Sequence, residues 1–203
     1  MKICAPPWRS LRPLGSRVAV DRYSLVLAGG QSRRLGRDKA LLPWTGGTLL
    51  QHVCAIARTV STEAILVAPR DRPYAHSGAD RWLDDPRGQG PLAAIAQGLA
   101  VVPATAWVLV LACDLPHLEP RVLQGWAQNL PNLSPAIAAY LPRQQPLCGW
   151  YRAGQREPLR RFLATGRRAC QDWLSEIPVA IAPCPAAMLT NLNTPADWHA
   201  LAA

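Results

Sequence analysis

No stretch of this 203-residue chain approaches the roughly 18 consecutive apolar residues that would suggest a membrane-spanning helix. The first 22 residues also lack the continuous apolar core of a secretory signal. They carry Lys2, Arg9, Arg12, Arg17 and Arg22, broken by Pro6, Pro7 and Pro13. Residues 1–22 therefore read as a disordered or misassigned extension ahead of one domain over 23–203, and a cytoplasmic protein is expected. Metal-cage and redox signatures are missing as well. Cys4, Cys54, Cys113, Cys148, Cys170 and Cys184 form no CxxC pair, and the four histidines are scattered. Reduced, mostly buried thiols and no zinc site are expected. Lysine is scarcer still: of 22 cationic residues only Lys2 and Lys39 are lysine. The net charge of +9 favours anionic partners without choosing between nucleic acid and small phosphates. With no RRM-like, helix-turn-helix or zinc signature, nucleic acid is not the expected partner.

An apolar fraction of 49% is ordinary for a globular domain with a sizeable core. Continuous apolar runs at 23–28 (YSLVLA), 64–68 (AILVA) and 107–112 (WVLVLA) predict central strands of a parallel sheet. Further strands are predicted at 136–141, 146–151 and 179–182. Helical spacing predicts helices over 48–60, 91–102, 119–129, 157–165, 169–176 and 195–201. This alternation implies an α/β fold: a single three-layer domain with a mostly parallel, Rossmann-like sheet covered on both faces. Such sheets bind ligands beyond the carboxyl ends of their strands.

Three loops fall at that edge. Ala28, Gly29 and Gly30 directly follow the first strand, where small residues let backbone N–H groups approach phosphate. Ser32, Arg33, Arg34 and Arg37 add donors and charge, and Lys39 is placed to reach a triphosphate. The spacing is not that of a GxxxxGK[ST] loop. Asp114, in CDLPHL after the third strand, is either a magnesium ligand or the start of a turn. Asp84 and Asp85, in DDPRGQGPL, face a ribose or base, or belong to a plain surface connection. Asn191 and Asn193 precede Pro195; Asn193 caps a helix there, or the pair faces phosphate or metal.

Taken together, LAGGQSRRLGRDKALLPW, GQGPLAAI, LACDLPHL, PLCGWY, TGRRACQDWL and NLNTPAD resemble the molybdenum cofactor guanylyltransferase family. That family lies within the glycosyltransferase-A-like nucleotidyltransferases, whose fold is the nucleotide-diphospho-sugar transferase type. The likeness runs from Tyr23 to about Leu201 and follows the family's order of segments. Leu35 stands in the usual Met position and Ala94 in a usual Gly position.

The resemblance implies transfer of GMP from GTP to the terminal phosphate of molybdopterin, with release of pyrophosphate. Leu27, Ala28, Gly29 and Gly30 would hold the nucleotide through backbone atoms, and Lys39 would contact its phosphates. Asp114 would bind Mg²⁺, Asp84 or Asp85 would approach the nucleoside, and Arg33, Asn191 and Asn193 would lie near acceptor or phosphate. Partners would be GTP, molybdopterin or molybdenum cofactor, and proteins of cofactor synthesis and molybdoenzyme maturation, with no membrane. The family often carries Asn where this chain has Ala68, which leaves guanine selectivity less secure than the transfer chemistry. The alternatives are a cytidylyltransferase acting on molybdopterin or a sugar or alcohol phosphate, and a noncatalytic anion- or nucleic-acid-binding module.

Overall fold

The computed structural model describes residues 20–30, 38–85, 89–143, 145–192 and 197–198. Its strands, in chain order, are β1 (Arg22–Leu27), β2 (Pro43–Trp44), β3 (Gly47–Thr48), β4 (Glu63–Ala68), β5 (Arg81–Asp84), β6 (Trp107–Ala112), β7 (Ala139–Leu141), β8 (Cys148–Arg152) and β9 (Val179–Ile181). The helices are α1 (Leu49–Arg58), α2 (Pro91–Ala100), α3 (Pro120–Asn129), α4 (Arg156–Ala164) and α5 (Cys170–Leu174). Among the described residues, seven strands form one sheet in the order β5-β4-β1-β6-β8-β7-β9. The block from β5 to β6 is parallel throughout. β8 runs antiparallel to both its neighbours, and β9 is parallel to β7.

The apolar runs explain the layers. Successive side chains of a strand point to opposite faces. Val26, Leu66, Leu109 and Leu111 bury against α1 and α3 on one face. Leu25, Leu27, Ile65, Val67, Val108 and Val110 bury against α2, α4 and α5 on the other. Every residue of β6 is buried, which fits its central place and its unbroken apolar sequence. α1 begins at a capping box: the Thr48 hydroxyl accepts from Gln51 N (3.2 Å), and Gln51 Oε1 accepts from Thr48 N (2.8 Å). Gly90 precedes α2 at φ 80°, a conformation that favours glycine, and Pro91 opens the helix.

The predicted core strands and the five helices over 48–176 are present, with ends shifted by a few residues. Four points differ. β2 and β3 pair as a short hairpin that the apolar pattern does not predict. β5 was not anticipated, because RWLD has a single aliphatic residue and forms a half-buried edge strand. The strand expected over 136–141 shortens to Ala139–Leu141. The domain also starts earlier than residue 23. Val20 packs against the core, Asp21 O accepts from Trp107 N (3.0 Å), and Arg22 O accepts from Thr62 N (2.8 Å). Residues 1–19 lie outside the described residues. So does most of the expected closing helix, of which Asp197 and Trp198 are helical.

No helix among the described residues is long and apolar enough to cross a membrane. The described cysteines are unbonded: Cys54 and Cys148 are buried, and Cys113, Cys170 and Cys184 are partly so.

Candidate active site

Segments far apart in sequence meet at the carboxyl edge of β1 and β6. Where β1 ends, Leu27 O accepts from Cys113 N (3.1 Å), and Ala28 N donates to Val67 O (3.0 Å). These bonds stitch the glycine loop to the ends of β4 and β6. Directly after Cys113, Asp114 presents its carboxylate. Its Oδ2 lies 3.4 Å from Lys39 Nζ, with the two side chains 19% and 16% exposed. Its Oδ1 accepts from Asn191 Nδ2 (3.4 Å), and its backbone O accepts from Leu192 N (2.9 Å). Lys39, Asp114 and Asn191 are thus brought together, as the sequence motifs suggested.

Lys39 rides on a single 3₁₀ turn, Lys39–Leu41. Asp38 caps that turn, its Oδ1 accepting from Ala40 N (3.1 Å). The other oxygen of Asp38 accepts from the Tyr74 hydroxyl (2.7 Å) and pairs with Arg72 Nη1 (3.0 Å). Burial, then the Asp38 hydrogen bond, pushes the Tyr74 phenol well above its ordinary range, so it stays a donor. Asp38, Arg72 and Tyr74 thus hold the lysine turn in place. Sequence reasoning missed this anchor. The Asp before Lys39 carried a local capping signal, whereas Arg72 and Tyr74, more than thirty residues away, carried none. The turn is tied down from its far side too, since the Trp44 ring meets the edge of His117, three residues after Asp114, at a centroid distance of 6.0 Å.

The two aspartates after β4 and β5 separate clearly. Asp84 is exposed and spends Oδ1 on Arg70 N (3.1 Å). Asp85 leans over the glycine loop: a Cβ built on Gly29 would sit 2.4 Å from Asp85 Oδ2. Its Oδ1 is buried and has no hydrogen-bond partner among the described residues. Burial, and secondarily the Asp84 charge, raise its pKa above the ordinary carboxylate range. A half-desolvated acceptor with an unmet oxygen at the loop is suited to donors of a bound molecule. Gly30 is exposed, with open space around its Cα. Burial first, and the Asp114 charge second, push the Cys113 thiol well above its ordinary range, which disfavours the thiolate. Arg33 and Asn193 lie outside the described residues.

Among the described residues no group of three or more His, Cys, Asp or Glu side chains converges. A cation at this edge would therefore rest on Asp114 and on oxygens brought by a ligand. That donor set fits magnesium, which keeps water and phosphate oxygens and takes only one or two carboxylates.

The model of the MobA-like NTP transferase domain matches residues 24–180, from within β1 to within β9. The chain belongs to this family. A Trichormus variabilis protein named probable molybdenum cofactor guanylyltransferase is 43% identical, with 86% of this chain and 87% of that protein covered. Molybdopterin-guanine dinucleotide biosynthesis protein A of Archaeoglobus fulgidus superposes with a TM-score of 0.71 at 24% identity, covering 88% of this chain and 95% of that one. A Mycobacterium tuberculosis protein solved as a complex with manganese has the same fold, with a TM-score of 0.62 at 20% identity and coverage of 91% and 98%. Family membership makes the chain a nucleotidyltransferase and bears out the resemblance stated on its motifs.

Proposed function

We propose that the chain transfers GMP from GTP to the terminal phosphate of molybdopterin, forming the guanine dinucleotide cofactor and pyrophosphate. The observation that carries the reading is the convergence of Lys39, Asp114 and Asn191 beside the glycine loop. In the reaction an oxygen of the acceptor phosphate attacks the α-phosphorus of GTP in line. The new P–O bond forms as the bond to pyrophosphate breaks. Such transfers need position and charge neutralisation more than covalent help.

Mg²⁺ held by Asp114 would supply Lewis-acid stabilisation of the triphosphate oxygens. Lys39 neutralises charge on the leaving pyrophosphate. Ala28 N–H is committed to Val67, so among the described residues of the loop the backbone donors left for phosphate are the N–H groups of Gly29 and Gly30. Asp85, rather than Asp84, accepts hydrogen bonds from the nucleoside. Leu27 contributes through its backbone, and Asn191 orients Asp114. Arg33 and Asn193 belong to the acceptor side in this reading.

Ala68 favours attention to a second reading, CTP as donor. Its side chain is fully buried, and its carbonyl accepts from Trp82 Nε1 (2.8 Å) and Asp85 N (3.2 Å). Position 68 therefore supplies no side-chain amide to a base. Offering GTP, CTP and ATP together at equal concentration with molybdopterin, and separating the dinucleotide products, distinguishes the two. The guanine product should dominate; a cytosine product in excess would replace the proposal with the second reading.

A further inference from the structure

Gln145 sits in the turn before β8, outside every motif assigned to the site, yet its side chain reaches Asn191. Its backbone is fixed on both sides: its N–H donates to Pro142 O (3.2 Å), and its O accepts from Cys148 N (3.1 Å). Its Oε1 accepts from Leu147 N (3.4 Å), and its Nε2 donates to Asn191 Oδ1 (2.8 Å). A backbone N–H can only donate, so the oxygen end of the Gln145 amide must face Leu147. The NH₂ end then faces Asn191 and can only donate, which requires the Asn191 oxygen on that side. The Asn191 NH₂ is left pointing at Asp114 Oδ1, at 3.4 Å. A reversed Asn191 would set a carbonyl oxygen against a carboxylate.

We propose that Gln145 is a positioning residue: the Leu147 N–H, Gln145 and Asn191 form a one-directional relay that keeps Asp114 turned as a cation-binding acceptor. The relay holds Oδ1, while Oδ2 faces Lys39 Nζ at 3.4 Å. The inference rests on the reading of Asp114 as the metal-holding carboxylate. Residues that orient a ligand in this way typically change metal affinity about 10–100-fold when altered.

The test is direct binding of Mn²⁺, alone and with GTP, followed by electron paramagnetic resonance, with melting temperature measured in parallel. Gln145→Glu replaces the donor by an acceptor and should flip Asn191, weakening Mn²⁺ binding about 10–100-fold. Gln145→Met removes the bond at similar volume and covers the case in which the charged variant does not fold; it should weaken binding by a smaller factor. Gln145→His offers one donor and one acceptor nitrogen and should restore binding to within about threefold. A purely structural role for Gln145 would lower the melting temperature of Gln145→Met and leave Mn²⁺ affinity unchanged, and that result overturns the relay. Wild-type protein that binds Mn²⁺ in a Gln145-dependent way but transfers no GMP to molybdopterin would sink the functional reading and leave the relay standing. Wild-type transfer with Mn²⁺ binding indifferent to both variants would do the opposite.

Discussion

Lys39 and Asp114 neutralise each other across 3.4 Å, and the geometry around each tells what its loss should do. The ammonium is placed by the Asp38–Arg72–Tyr74 anchor, so Lys39→Ala removes a charge without removing what holds the turn. Transfer should fall by about 10²–10³, the usual worth of one preorganised interaction with transition-state charge. Steady-state rates of a variant with wild-type melting behaviour check this, and activity within threefold of wild type would contradict it. Asp85 makes a different case. Its pKa is raised in the folded state, so the ionised form is disfavoured there, and stability is lost as pH rises through the folded value. Wherever the carboxylate is ionised, its charge opposes folding. Asp85→Asn should therefore keep or raise the melting temperature while weakening GTP binding about tenfold or more, as loss of a charge-assisted hydrogen bond of roughly 1.5–3 kcal/mol would. Calorimetric titration with GTP and a thermal melt of the same sample report both effects. The motifs identified Lys39, Asp114 and Asn191, which carry distinctive local sequence. They left Asp84 and Asp85 undivided, because only the approach of β5 to the glycine loop separates an exposed carboxylate from one over Gly29.

At the scale of elements, legibility followed apolar continuity. β1, β4 and β6 are largely apolar runs buried on both faces, and that continuity alone located them within a residue. β5 and β7 are short and take their strand conformation from neighbours, a tertiary effect that local pattern does not carry. Gly149 in β8 is one such long-range constraint. An added Cβ there would meet Leu141 Cβ at 2.2 Å and Leu141 Cα at 2.9 Å. A glycine inside a strand marks close approach of another segment. Since one obstruction is backbone, Gly149→Ala can be accommodated only by moving β7 away from β8. A destabilisation on the order of 1–3 kcal/mol is expected, read as a drop of roughly 2–4 °C in melting temperature per kcal/mol for a domain of this size. An unchanged melting temperature would show that the strands separate at no cost.

For the whole molecule, the excess positive charge and the residues ahead of the sheet raise one further question. The segment 1–19, outside the described residues, is proline-broken, arginine-bearing and without apolar periodicity in its sequence. No group placed at the site belongs to it. Deleting residues 1–19 should leave melting temperature and transfer nearly unchanged. Deletion through Asp21 should be harmful, since Val20 and the Asp21 carbonyl are part of the fold. Comparing melting curves and turnover of the two truncations with the full chain decides this, and a loss of several degrees in the shorter deletion would contradict it.

In the proposed reaction, nucleotide transfer takes place at an Asp114-held divalent cation. The measurement that tests it most directly is pyrophosphate release from GTP in the presence of molybdopterin across a magnesium titration, for wild type and Asp114→Asn. Release should require both GTP and molybdopterin, and the magnesium half-saturation point should rise in the variant. Release that is indifferent to molybdopterin, or a variant with unchanged rate and unchanged half-saturation, would contradict it.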